Sequence, residues 1–414
     1  MESLCYPYIY TNPELKILKH TQETRLKPYN IPISNDEVIQ YSKCWNKWNP
    51  LFSNREHAIS VGFKDIPLIP GFVEPVVRVM LPHEFGVHAD VDFLYPGDGY
   101  DHEVFYYRPL TVADKLTVKH TTTNILDITP QKGCLVRGLI IECHSEMYDQ
   151  ANTLVAKGVF RWPEFSKRAS QDCTTRDIQI HPQTPIHKIT DAEWSHISDI
   201  WENERVQGST PLDPSTVRPG IYLPEVTEGP ITTMDMIRLH GQYLPGSGGV
   251  RSYLLNHHGR YVKDEFGYYQ SDEYSHFATH FGKRPQFHNT TARNLIIRMV
   301  TNWCGDYAFI SKLAWRLVNT LPPEKQGNHF PKTYSRPSYL FKVPELNASS
   351  KSKYMNKHGV VPDCPIAHGY ISDVAYRNNR LIATIIGWCD DLDGNIMCEC
   401  LIEVCFDALN SFKN

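Results

Sequence analysis

The sequence predicts an α+β protein made of two related halves, and three observations carry that reading. A helix-like segment followed by a series of strand-like runs occurs twice, in the same order. The strand-like runs alternate, as in Leu139-Ile140-Ile141-Glu142-Cys143-His144-Ser145-Glu146-Met147, which favours antiparallel strands with one wet face. The chain has 414 residues, enough at roughly 100 to 200 residues per domain for two or three domains with ordinary cores.

In the first half, Ser34 or Asn35 can cap a short helix whose apolar positions Val38, Ile39 and Tyr41 fall at helical spacing. A turn at Asn49-Pro50-Leu51 and an apolar segment from Leu68 to Leu81 come next. Strand-like runs then cover Glu103 to Tyr107, Lys115 to Ile125, Leu135 to Tyr148 and Leu154 to Trp162. The second half opens at Gly229-Pro230-Ile231-Thr232, where a Thr again caps a helix, and passes through a glycine-rich stretch. A long helix is predicted from Thr291 to Trp303, with Leu295, Ile296, Met299, Val300 and Trp303 forming one broad apolar stripe. Strand-like runs follow at Phe309 to Leu317, Ser338 to Val343, Ala367 to Tyr376, Leu381 to Cys389 and Ile396 to Phe406. The polar stretch 166–195 reads as a linker between an N-terminal unit, 1–165, and a C-terminal unit, 196–414, which carries an inserted loop at 246–277. Trp194 to Trp201 reads as a short helix capping the second unit, and Asn347 to His358 as a loop between strands.

Composition removes several function classes. With 42 Lys plus Arg against 46 Asp plus Glu and no basic block, nucleic acid is not an expected partner. No apolar run approaches the ~20 residues that span a bilayer, and Met1 to Tyr10 lacks the pattern of a secretory signal, so a cytoplasmic protein is expected. The 11 cysteines are scattered and read as reduced thiols. Cys398 and Cys400 share one face of a strand and fit a core better than a metal site. Asp390-Asp391-Leu392-Asp393-Gly394 lacks the spacing of a calcium loop and fits a hairpin turn. Zinc spacings, a phosphate loop and a G-x-S-x-G elbow are all absent, so neither a metal nor a cofactor is expected.

The order of motifs resembles the MaoC-like hydratase and dehydratase family in its double-hotdog form. In the first half the resemblance rests on Ser34 to Tyr41, Asn49-Pro50-Leu51, Ala58, Gly62 and Pro67-Leu68-Ile69-Pro70-Gly71. Arg108-Pro109-Leu110 with Asp114-Lys115-Leu116 then looks like the family's "RP…GD.L" strand. In the second half it rests on Gly229 to Gly241, on His276 to Asn289 and on Val300 to Asp306. Pro365-Ile366-Ala367-His368-Gly369 spells the family's helix-opening sequence, yet a strand-like run follows it; the counterpart by order is Pro285-Gln286-Phe287-His288-Asn289. The resemblance implies two long central helices, each wrapped by a curved antiparallel β-sheet.

It also implies chemistry by an Asp and a His on an Asp-x-Asn-Pro-x-His turn, with a backbone N–H at the helix start holding the thioester oxygen. Here Lys47 stands in the Asp position and Phe52 in the His position, so the first half is expected to shape the pocket. The second half has lost the turn as well, and His240, His288 and Asp272 are the candidate acid–base groups near the same place. Tyr243, Asn289, Tyr269 and Trp303 are the candidate substrate contacts, while Arg298 and Asp306 read as partners in structural ion pairs. The implied activity is a dehydratase or hydratase-like lyase, isomerase or cyclase acting on a β-hydroxy, enone acyl or polyketide-like substrate, with or without a CoA or carrier link. A catalytically inactive hotdog that binds an acyl ligand or stabilises a partner is the alternative. A homodimer is open to a chain that already supplies its own pseudo-dimer.

Overall fold

The computed structural model describes residues 28–31, 33–46, 48–73, 93–96, 101–127, 137–166, 188–230, 261–263, 269–271, 289–317, 364–392, 394 and 396–406. Helix α1, Asn35–Trp45, starts at a capping box in which the Ser34 hydroxyl accepts from the Glu37 N–H and the Glu37 carboxylate accepts from the Ser34 N–H. It runs further than Tyr41 because Val38, Tyr41, Ser42 and Trp45 keep one face buried to its last turn. A second short helix, α2, covers Arg55–Ser60. Helix α3, Asp191–Asn203, is capped by the Thr190/Glu193 box and therefore begins inside the stretch expected to be linker. Its Ile197 and Ile200 pack on Cys364 and Ile366 of the second half, which it caps. Helix α4, Asn289–Cys304, is the long second-half helix. A first-half counterpart would fall between 74 and 92, outside the described residues.

Thirteen strands are described: β1 Tyr29–Ile31, β2 Phe93–Pro96, β3 Asp101–Tyr106, β4 Leu116–Asp127, β5 Arg137–Tyr148, β6 Leu154–Ser166, β7 Val226–Thr227, β8 Tyr261–Lys263, β9 Tyr269–Ser271, β10 Ala308–Leu317, β11 Ile366–Arg377, β12 Arg380–Asp390 and β13 Ile396–Phe406. The hairpin β8–β9 stands apart, inside the expected insertion. The other strands make one antiparallel sheet in the order β1-β4-β5-β6-β3-β10-β13-β12-β11-β7, with β2 beside β6. In each half the first of four long strands lies beside the last: β3 on β6, and β10 on β13. A short strand borders the second of the four in each half, β1 on β4 and β7 on β11. The halves meet where β3 pairs with β10, from Phe105 opposite Lys312 to Asp101 opposite Arg316. This is the repeated arrangement that a double hotdog requires.

Helix α4 packs on β10, β11, β12 and β13 and is buried on all sides from Thr291 to Asn302. Its approach to the sheet depends on two glycines that face each other across β11 and β12, Gly369 and Gly387. A Cβ on Gly387 would stand 2.6 Å from Ile296 Cγ2, and one on Gly369 would stand 2.6 Å from Met299 Cε. The cysteines follow the same logic: Cys389, Cys398 and Cys400 are free, fully buried thiols of the core. Between β12 and β13 the chain turns with the Gly394 N–H donating to Asp391 O, so the acidic run is a hairpin turn. No described helix is long and apolar enough to cross a membrane.

His368, within the sequence that imitates a helix opening, sits on strand β11 as its strand-like surroundings predict. Its ring stacks on Trp388, and its two nitrogens donate to Glu225 and Asp390, each at 2.9 Å. Both nitrogens can donate only when the ring is protonated. Burial alone lowers its pKa, but the two carboxylates outweigh burial and raise it to about 9.

Two stability outcomes follow from these contacts. Gly387→Ala is expected to cost about 1–3 kcal/mol in a urea melt, because the β-branched Ile296 cannot yield, whereas Gly369→Ala costs less since Met299 ends in a mobile methyl. His368 contributes its stability fully below the unfolded pKa near 6.5 and loses it as pH rises through about 9. Unfolding midpoints should therefore fall between those pH values in wild type and flatten in His368→Gln.

Candidate active site

The turn that resembles the family's catalytic turn is built locally by Asn49 and Pro50. Asn49 Oδ1 accepts from the Leu51 N–H at 3.0 Å, and Pro50 opens a single 3-10 turn over Pro50–Phe52. Ser42 of α1 donates its hydroxyl to Phe52 O at 2.7 Å and ties the turn to the helix before it. Asn54 then caps α2 by accepting from the His57 N–H at 3.1 Å. Ala58 is fully buried and Gly62 takes φ +106°, a left-handed value that suits glycine, which explains the spacing of Ala and Gly after the turn.

This turn forms one wall of a cleft at the seam of the two halves, with about 590 Å³ of free space including its open mouth. The first half supplies Leu51, Phe52, Phe63, Leu68 to Pro70, Tyr106 and Leu110; the second supplies Thr301, Cys304, Gly305 and Ala308 to Ile310. Its character is apolar, suited to a hydrocarbon chain. Phe52 is buried in it, in the position where the resemblance would put a His, and Lys47 lies outside the described residues.

The polar groups around the cleft are mostly committed. Arg108 makes two bonds to the Asp114 carboxylate, at 2.9 and 2.7 Å, and one to Asp149 at 3.0 Å, so the Arg-Pro…Asp motif is a clasp between strand ends. Arg293, on α4, donates to Gly71 O at 3.2 Å and lies 5.1 Å from the centre of the Trp315 ring. Asn46 donates to the Thr301 hydroxyl at 3.1 Å, joining α1 to the end of α4. Burial, with a contribution from Asp306, pushes the Cys304 thiol up to about 12, which makes it a poor nucleophile at neutral pH.

One contact differs in kind. His57 Nε2 lies 2.7 Å from Asp306 Oδ2, linking α2 of the first half to a residue two positions past α4 in the second. The Asp306 side chain has no exposed surface, while that of His57 is 23% exposed. Asp306 Oδ1 is buried and has no hydrogen-bond partner among the described residues. Burial pushes the Asp306 carboxyl above its usual range, and the bond and charge of His57 pull against that rise.

No family model and no curated protein matches the chain. Solved structures do. A MaoC-like dehydratase is 12% identical, with 93% of this chain and 99% of that one covered at a TM-score of 0.48. A putative MaoC domain protein dehydratase of Chloroflexus aurantiacus is 14% identical over 92% of this chain and 94% of its own, at 0.42. A conserved hypothetical protein of Mycobacterium tuberculosis, described as having a double hotdog fold, is 9% identical over 92% and 96%, at 0.46. Over most of its length the chain is similar to MaoC-like dehydratases and double-hotdog proteins.

The residues expected to act are placed unevenly. His240, His288, Asp272 and Tyr243 lie outside the described residues. Asn289 is the first residue of α4 and Tyr269 opens β9, but their side chains are not among those described. Trp303 stacks edge-on against Phe406 at 5.8 Å and does not line the cleft. Arg298 is the structural ion-pair partner expected of it, held by Glu204 and Glu228. Asp306 pairs too, but with His57, a residue the sequence reading did not single out. Nothing near His57 marks it in the sequence, since its partner stands 249 positions away. Loss of the turn's cap should be measurable: Asn49→Ala is expected to lower stability by about 1 kcal/mol in chemical denaturation, since the Leu51 N–H loses its partner.

Proposed function

We propose that this chain is a hydratase- or dehydratase-type lyase that moves protons on an acyl substrate. The observation that carries the reading is the apolar cleft at the seam, walled by the turn that resembles the family's catalytic turn and by the last turn of α4. A β-hydroxy or enone acyl group, or a polyketide-like chain, fits such a lining, with or without a CoA or carrier arm. His240, His288 and Asp272 are proposed as acid–base groups from the second half, and Tyr243, Asn289 and Tyr269 as substrate contacts. No cofactor is invoked, and isomerisation or cyclisation by the same proton transfers belongs to the same proposal. We place the protein in the cytoplasm, acting alone or as a homodimer on a small molecule.

Phe52 favours a second reading, because an aromatic ring fills the position from which the resemblance would have a base act. A hotdog that only binds an acyl ligand would need no replacement for it.

Mass spectrometry of β-hydroxyacyl thioesters, and of extracts from a strain lacking the gene, separates the two. Wild type is expected to remove water from a substrate, or rearrange it at equal mass, and His240→Ala/His288→Ala to slow this by about 100-fold or more. Turnover unchanged in that variant would sink the assignment of the two histidines. Tight binding of acyl thioesters without turnover would leave the ligand-binding protein.

A further inference from the structure

We infer that the seam cleft is a subsite for an unoxygenated hydrocarbon segment of the substrate, that Phe52 limits how far this segment reaches, and that the reacting head group lies outside it. The inference rests on the lyase reading above for the acyl nature of the ligand. Among the substrates that reading leaves open, it selects those with a plain aliphatic chain.

The first argument is the state of the polar groups that line the cleft. Among the described residues, four lining side chains carry a polar atom: Tyr106, Arg108, Thr301 and Cys304. Each is bonded within the protein. The Tyr106 hydroxyl donates to Val73 O at 3.2 Å and accepts from the Gly71 N–H at 3.4 Å. The Thr301 hydroxyl donates to Ile297 O at 2.8 Å and accepts from the Asn46 amide at 3.1 Å. The Cys304 thiol makes weak bonds to Thr301 O and Gly305 O. Arg108 is matched by two carboxylates, those of Asp114 and Asp149, so it offers no net positive charge to a carboxylate or phosphate. A hydroxyl or carbonyl brought among these groups gives up its bonds to water, and to regain one it must displace a bond already made. A methylene gives up no such bond and gains by leaving water.

The second argument is the shape of the walls. Phe52 lines the cleft and is 4% exposed. Its backbone is held on both sides, since the Leu51 N–H donates to Asn49 Oδ1 and the Ser42 hydroxyl donates to Phe52 O. The ring is therefore a fixed stop and not a side chain on a loose segment. The second half lines the same space with small residues at Thr301, Cys304, Gly305 and Ala308. Room for a chain is set by one bulky ring on a pinned turn and by how little the second half fills.

The test is calorimetric titration of the full chain with N-acetylcysteamine thioesters of saturated straight-chain acids of increasing length, which are neutral and have no hydroxyl to lose. Wild-type affinity is expected to rise about 4-fold per added methylene and then to level off where the cleft is full. Phe52→Ala is expected to move that plateau to longer chains, and Ala308→Val to shorter ones. A thioester of the same length with a hydroxyl at mid-chain is expected to bind with an affinity lower by about 10-fold or more. Equal affinity for the hydroxylated chain overturns the inference, as does a plateau that neither variant moves, or the absence of any binding. If Phe52→Ala does not fold, the shift in Ala308→Val and the hydroxyl comparison in wild type decide the matter. Turnover of β-hydroxyacyl thioesters tests the parent reading separately. Chains bound in the expected pattern by a protein that dehydrates none of them remove the lyase and keep the subsite, whereas turnover without that pattern keeps the lyase and overturns the subsite.

Discussion

The pairing of β3 with β10 is the constraint on which the rest of this molecule depends. Without it there would be two half-sheets, each with an open edge of unpaired N–H and C=O groups. With it, one sheet runs from β1 to β7, and the half-sheets place their first strands against each other. The cleft lies beside this seam, since its walls come from residues between Leu51 and Val73 and at the end of β3 on one side, and from the end of α4 and the start of β10 on the other. Charges reinforce the seam along one row of the sheet. Glu142, Arg161, Asp101, Arg316 and Glu399 are successive register neighbours across β5, β6, β3, β10 and β13, with alternating sign. Arg161 bonds Glu142, Arg316 bonds the fully buried Glu399, and Glu142 is held down to about 2 by hydrogen bonds from His144, Asn124 and Arg161 that outweigh its burial.

Helix α4 illustrates how a buried element can carry polar residues. Arg298 is almost wholly enclosed, and an unpaired guanidinium there would be costly, so Glu204 and Glu228 close on it. Asn302 donates to the same Glu204 at 2.8 Å, and Arg293 reaches across to the first half. These polar contacts fix the angle at which the helix meets its surroundings, while the glycine pair beneath it sets the distance. Together they hold the end of α4, and with it Thr301, Cys304 and Asp306, against the turn of the other half.

Much of this fold was legible in the sequence because it depends on local rules. Period-2 alternation located β5, β6, β12 and β13, and β13 begins and ends at the residues expected, Ile396 and Phe406. The apolar stripe of α4 marked its helix, and the residue types narrowed the first cap to Ser34 or Asn35, of which the structure uses Ser34. Boundaries slipped where tertiary burial extended an element, as at the last turn of α1, or where a cap lay inside a polar stretch, as at Thr190. The pairing of Arg298 was foreseen in kind, because a buried cation on an apolar helix needs an anion. The identity of its partners was not, since Glu204, at the end of α3, and Glu228, just past β7, stand 94 and 70 positions from it in the chain.

By itself, the sequence determined the class of the protein, its two halves of similar element order, and the Lys47 and Phe52 that stand where the resemblance implies an Asp and a His. Those are properties of residue type and spacing, which the chain carries before it folds. Only the tertiary structure decided which distant residues meet where the halves join. The contact between His57 and Asp306 joins positions 249 apart through the β3–β10 seam, and its strength comes from burial that no local pattern encodes. Chemistry at a seam is decided by the geometry of two surfaces meeting, and that geometry exists only once both halves are in place.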